Sequence, residues 1–137
     1  MPHQPVKHAA GHGRGQALVE LALILPVLVL LAMGTLDLGR AFGAYLSMAN
    51  AAREGAMYAS LHPSDANLVA DVTSVALAEL NGAVPATPSI TITPSSVPLP
   101  RGSSVRVTVR ATFSLFTTAI LGLGSVSLQA SSTVVVQ

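Results

Sequence analysis

The sequence predicts an α+β fold: a long N-terminal transmembrane helix, then a second helix and a small three-stranded antiparallel sheet packed on the first. Three observations carry this. An apolar run over residues 17–36 has the length needed to cross a bilayer core as a helix. Apolar residues at helical spacing continue to Ala59 and resume from Leu68 to Leu80. From Pro85 onward the apolar period falls to two, the signature of half-buried strands.

Composition sets the frame. The chain has 137 residues, 50% of them hydrophobic and 9% charged, too few charges for an ordinary cytosolic surface. The apolar excess is concentrated in Leu21–Leu36, and the length beyond it leaves room for one compact domain. A net charge of +1 argues against nucleic acid as a partner. Without cysteine there are neither disulfides nor thiolate ligands.

Residues 1–15 read as a disordered basic leader. Pro2, Pro5, Lys7, Arg14 and scattered glycines show no apolar periodicity. Lys7 and Arg14 place this end in the cytoplasm and everything after the apolar run outside. His3, His8 and His12 have no companion ligand type, so no metal site is expected there. Gly11, Gly13 and Gly15 precede no Gly-Lys-Ser/Thr, so no phosphate loop is expected either.

The long helix is expected from Ala17 to about Leu61, with the transmembrane half at 17–36 and Pro26 inside it. Glu20 stands at the head of this greasy segment. A carboxylate entering hydrocarbon costs about 2.5–3.5 kcal/mol on insertion scales, so it normally has a partner. A free α-amino group is one candidate: cutting after Gly15 would make Gln16 residue one and Glu20 residue five. The competing reading takes residues 1–34 as a Sec signal peptide, with Leu21–Leu31 as its apolar core and Ala32-Met33-Gly34 as the cleavage site. The long stretch before the core and the acid at its edge argue against this.

Asp37 and Arg40, spaced i, i+3, suit an ion pair at the exit from hydrocarbon. Leu38, Phe42, Tyr45, Ala49, Ala52, Ala56 and Ala59 then mark one stripe, expected to pack mostly under the extracytoplasmic domain and to meet partners in its membrane half. Gly39 and Gly43 allow close approach of another helix. His62-Pro63 ends the helix. A domain over 62–137 completes the chain. Ser64 is the expected cap of a second helix reaching Leu80, with Leu68, Val69, Val72, Val75, Ala76 and Leu80 on its apolar face and Asn81-Gly82 closing it.

Ile90 and Ile92 define the first strand. Val105 to Phe113 defines the second, with Arg106 and Arg110 on its solvent face for solubility and edge protection. Val126 to Val136 defines the third. Leu115 to Gly124 reads as an apolar connection with an exposed tip. Catalysis has little support. Beyond the leader only His62 remains among the histidines. Asp65, Asp71 and Glu79 read as the wet side of the second helix, and no nucleophile elbow or metal-ligand spacing is present. No enzyme activity and no cofactor are expected.

Three motifs together carry a family resemblance: Gly15-Gln16-Ala17-Leu18-Val19-Glu20, Asp37-Leu38-Gly39-Arg40, and Asn50-Ala51-Ala52-Arg53-Glu54-Gly55-Ala56. From Arg14 to about Ala59 the chain resembles the TadE-like pseudopilins of tight-adherence (Flp) pilus systems, within the type IV pilin superfamily. The resemblance implies a minor pilin-like subunit in the inner membrane, single-pass, acting by helix packing in assembly, adhesion and secretion machinery. Its implied partners are other pilin-like subunits, the assembly machinery and a prepilin peptidase cutting between Gly15 and Gln16. Glu20 takes the role of the fifth-position acid. Asn50, Arg53, Glu54 and Gly55 belong to the motif, with a structural use for Arg53 and Glu54 the favoured expectation. A self-polymerising filament subunit is the alternative within the same superfamily. The chain departs from major Flp pilins, which are shorter and lack a sheet domain, and from pilins whose mature part begins with phenylalanine.

Overall fold

A computed structural model describes residues 12–80, 82–84, 87–122 and 124–137. Most of the expected leader therefore lies outside the described residues. Its last four, His12 to Gly15, are helical rather than irregular. They open α1 (His12–Leu61), one helix of 50 residues, about 75 Å long at 1.5 Å per residue. Pro26 lies within it without ending it. The helix stops where the proline signal puts it, with the His62 N–H donating to Tyr58 O at 3.1 Å.

The second helix, α2 (Leu68–Leu80), begins four residues later than Ser64. Asp65 is the reason. Its Oδ1 accepts the Asn67 N–H at 2.9 Å, forming a side-chain-closed turn. Helical bonding starts only with the Asp71 N–H to Asn67 O, at 3.0 Å. Leu68, Val72, Ala76 and Leu80 are buried at strict i, i+4 spacing. Val69, expected on that face, is exposed, and Val75 is half-buried. Gly82, at φ 76°, reverses the chain after the helix; Asn81 is outside the described residues.

The sheet is the expected antiparallel meander. β1 (Ser89–Thr93), β2 (Ser104–Phe113) and β3 (Val126–Val135) lie in the order β1-β2-β3. Ile90 faces Val109 in the first pair, and Val109 faces Ala130 in the second. Along β2, Val105, Val107, Val109, Ala111 and Phe113 are buried, while Arg106 and Arg110 are exposed between them. Between β2 and β3 the stretch read as a connection contains a short helix, α3 (Phe116–Leu121).

The outer half of α1 is itself the centre of the core. Ala44, Met48, Ala51, Ala52, Ala56 and Ala59 are buried against α2 and the sheet. The expected stripe holds only toward its end. Leu38, Phe42 and Tyr45 are exposed and Ala49 is half-buried. The physical reason is side-chain size: α1 is approached by α2 on one side and by the sheet on another, and close approach selects alanine and glycine. Met48 is the large exception inside the core, and Leu38, Phe42 and Tyr45 of the same helix are left on the open side.

Candidate functional site

Gly15, Gln16 and Glu20 stand on one continuous, exposed stretch of helix. The Gln16 Nε2 donates to Glu20 Oε1 at 3.3 Å, across one helical turn. Among the described residues no cation pairs with Glu20. The large apolar side chains from Leu18 to Val29 are exposed around it. By length and composition the helix can cross a membrane. From Leu18 to Val29 this half of α1 is therefore an apolar rod with a carboxylate near its tip, its large apolar side chains uncovered by the described residues.

The next fixed point is Asp37, the first residue after the apolar run. It is buried, at 2% exposure. Its Oδ1 accepts the Phe116 N–H at 2.9 Å and its Oδ2 accepts the Thr117 N–H and the Thr117 hydroxyl, both at 2.8 Å. Arg40 Nη1 donates to Oδ1 at 3.2 Å. Asp37 thus caps α3, satisfying amides that a helix start leaves without intrahelical partners. The Arg40 guanidinium lies 4.2 Å from the centroid of the Phe116 ring and 5.2 Å from that of Phe113, within cation–π range. Phe116 and Thr117 were not legible as partners of Asp37: they lie some eighty positions away, and no local spacing links them. Among the described residues no buried side-chain nitrogen or oxygen is left without a hydrogen bond.

The motif around Asn50 divides by exposure. Ala51, Ala52, Gly55 and Ala56 are buried, while Asn50, Arg53 and Glu54 are exposed. Gly55 is a crossing point. A Cβ there would sit 3.2 Å from Val72 Cγ1, 3.3 Å from Val107 Cγ1 and 3.7 Å from Ala76 Cβ. Gly55 therefore lets α2 and β2 close on α1 together. Arg53 and Glu54 do not join the helix to the sheet in this structure. They stand on the outside of α1 and make no salt bridge among the described residues. Gly39 and Gly43 have nothing within 4 Å of an added Cβ, so none of the described residues uses the space they leave.

The remaining polar groups stand apart from this cap. The His62 ring stacks on Tyr58 with centroids 4.2 Å apart. Asp71 is half-buried, and burial together with the facing Asp65 carboxylate holds its pKa above the usual carboxylate value, against a smaller opposite pull from His62. Among the described residues no group of three or more His, Cys, Asp or Glu is placed to hold a metal ion. A groove of about 570 Å³ on the outer sheet face is lined by Arg106 and Arg110 among threonines and serines. Arg106 Nε there donates to Thr133 Oγ1 at 3.1 Å.

Neither a curated protein nor a solved structure matches the chain. Residues 15–57 match the family model described as TadE-like protein. That segment begins at Gly15, contains Glu20, Asp37 and Arg40, and ends just past Gly55, while the sheet lies beyond it. The TadE-like family is a pilus-associated structural family, tied to the tight-adherence (Tad) pilus. The resemblance carried by the three motifs is thus matched by a family model over residues 15–57, and in that segment the chain is similar to TadE-like proteins.

Proposed function

We propose that the chain is a membrane-anchored, minor pilin-like subunit of the tight-adherence pilus assembly system and works by packing its helix against neighbouring subunits. The observation that carries this is the division of α1. Its outer half is consumed by the chain's own core, whereas its apolar half is exposed and bears Glu20 without a cationic partner among the described residues. Such a rod is complete only with surroundings that the described residues do not supply: lipid around it and a positive group at its tip. Lys7 and Arg14 retain the leader in the cytoplasm, and the sheet domain stands outside the inner membrane.

In this reading a prepilin peptidase cuts between Gly15 and Gln16. The new amine then pairs with a neighbour's Glu20, offsetting the cost of a carboxylate in hydrocarbon. Leu38, Phe42, Gly39 and Gly43 offer the open face on which a second helix packs. The test is Glu20→Ala in the native host. The variant is expected to fractionate with membranes while sheared surface fractions lose their pili. Normal piliation would reject the pairing mechanism. N-terminal sequencing of membrane material is expected to start at Gln16; a start near Thr35 would instead support secretion with a removed signal peptide.

A further inference from the structure

We propose that α3 is a second membrane contact, seated in the headgroup–acyl boundary on the outer face of the bilayer beside the point where α1 emerges. The inference rests on the spanning role of residues 17–36 and adds to it.

Position comes first. Three hydrogen bonds fasten the start of α3 to Asp37, so the short helix is held at the level where the apolar run ends. The contact reaches further down. Gly34, inside the run, shares an apolar pocket of about 210 Å³ with Leu115 and Val126, about 4.5 Å below Asp37 at 1.5 Å per residue. Half-buried Leu30 and Met33 continue the same face of α1 toward the membrane.

Chemistry agrees with position. Phe116 is 55% exposed and Ile120 58% exposed. No charged side chain occurs from Ala111 to Gln137, so this segment itself brings no side-chain charge to the bilayer. Leu36 and Leu38, flanking Asp37 on α1, are exposed as well. The Arg40 guanidinium lies over the Phe116 ring. A guanidinium at this depth meets lipid phosphates while its stem and the ring face the acyl chains. Elements of this kind enter about 5–10 Å into the boundary region. The same patch on a subunit that met only protein would need a complementary apolar surface on its neighbour, and the test separates the two.

The chain contains no tryptophan, so single substitutions report cleanly. Full-length chain carrying Ile120→Trp, or Phe116→Trp as the conservative second variant, is reconstituted alone into phosphatidylcholine–phosphatidylglycerol vesicles containing lipids brominated at defined acyl depths. Leu28→Trp serves as the reference within the span. Val97→Trp serves as the reference for the distal end, whose loop is tied to the end of α1 by the Leu99 N–H to Pro63 O bond. The expected result is blue-shifted emission for both tip variants, quenched several-fold more than Val97→Trp and best by bromines near the carboxyl end of the acyl chain. Tip variants quenched no more than Val97→Trp, while Leu28→Trp is quenched by deep bromines, would overturn the inference and leave the span intact. Loss of quenching at Leu28→Trp would overturn both.

Discussion

Replacing Gly55 by alanine sets two known effects against each other at one position. Alanine in place of a helix-interior glycine is worth about 1 kcal/mol in propensity. At Gly55 the added methyl also meets Val72 Cγ1 at 3.2 Å and Val107 Cγ1 at 3.3 Å. Both valines are fully buried, so neither can swing away without disturbing α2 or β2. Overpacking of this kind costs about 1–3 kcal/mol, and Gly55→Ala should range from neutral to about 2 kcal/mol destabilising. Gly43→Ala provides the matched control, since nothing lies within 4 Å of its added Cβ. The propensity gain is common to both, so their difference isolates the packing term at about 1–3 kcal/mol. At about 4–8 °C per kcal/mol for a domain of this size, the two midpoints should separate clearly. The assay is thermal unfolding of the full chain in micelles, read by loss of hydrogen-exchange protection along β2. Adding Val72→Ala to Gly55→Ala should return part of the loss, a coupling of about 0.5–3 kcal/mol. Equal stabilisation by Gly55→Ala and Gly43→Ala would refute the claim that this glycine sets the approach of helix and sheet.

Two further predictions test the polar contacts. Asp37→Ala removes every acceptor at the start of α3, so the Phe116 and Thr117 amides should exchange much faster while β2 stays protected; unchanged exchange at those amides would show that the cap is not what holds α3. Asp71 has a folded-state pKa raised above its unfolded value of about 3.9. The folded state therefore holds that proton more tightly, and the associated stability is present in acid and lost as pH rises through the folded value. Asp71→Asn should then be more stable than the parent at neutral pH and equal to it near pH 3, and a stabilisation independent of pH in denaturant titrations would contradict the assignment.

The range of the forces involved decides which features could be read from the residues and which could not. Val105 to Phe113 alternates so cleanly that its buried and exposed faces, and its place against a helix, came from period alone. His62-Pro63 marked the end of α1 because proline acts on its immediate neighbour. The stripe that helical spacing predicts on α1 fails from Leu38 to Tyr45, because spacing shows which residues share a face but not how far along the helix a covering element reaches. Two elements crowd α1, and they select small residues. Asp65 hid the start of α2, since Ser64 and Asp65 are both capping types and only geometry shows which backbone N–H is bonded. The capping of α3 by Asp37 had no local signature at all. Glu20 is conspicuous as an acid in an apolar stretch, and the structure places it on exposed helix with no cationic partner among the described residues.

The continuity of α1 from His12 to Leu61 has a mechanical consequence. Anchor and head share a single rod, so the head's compass bearing is dictated by the helical phase of the anchor. Each added residue turns an α-helix by about 100°. An alanine inserted between Leu28 and Val29 would leave the head intact yet swing it to a different azimuth, and a neighbour docked on the rod would then meet the wrong side of it. Axial pull on the anchor is delivered straight into the seam between helix and sheet, with no slack to absorb it.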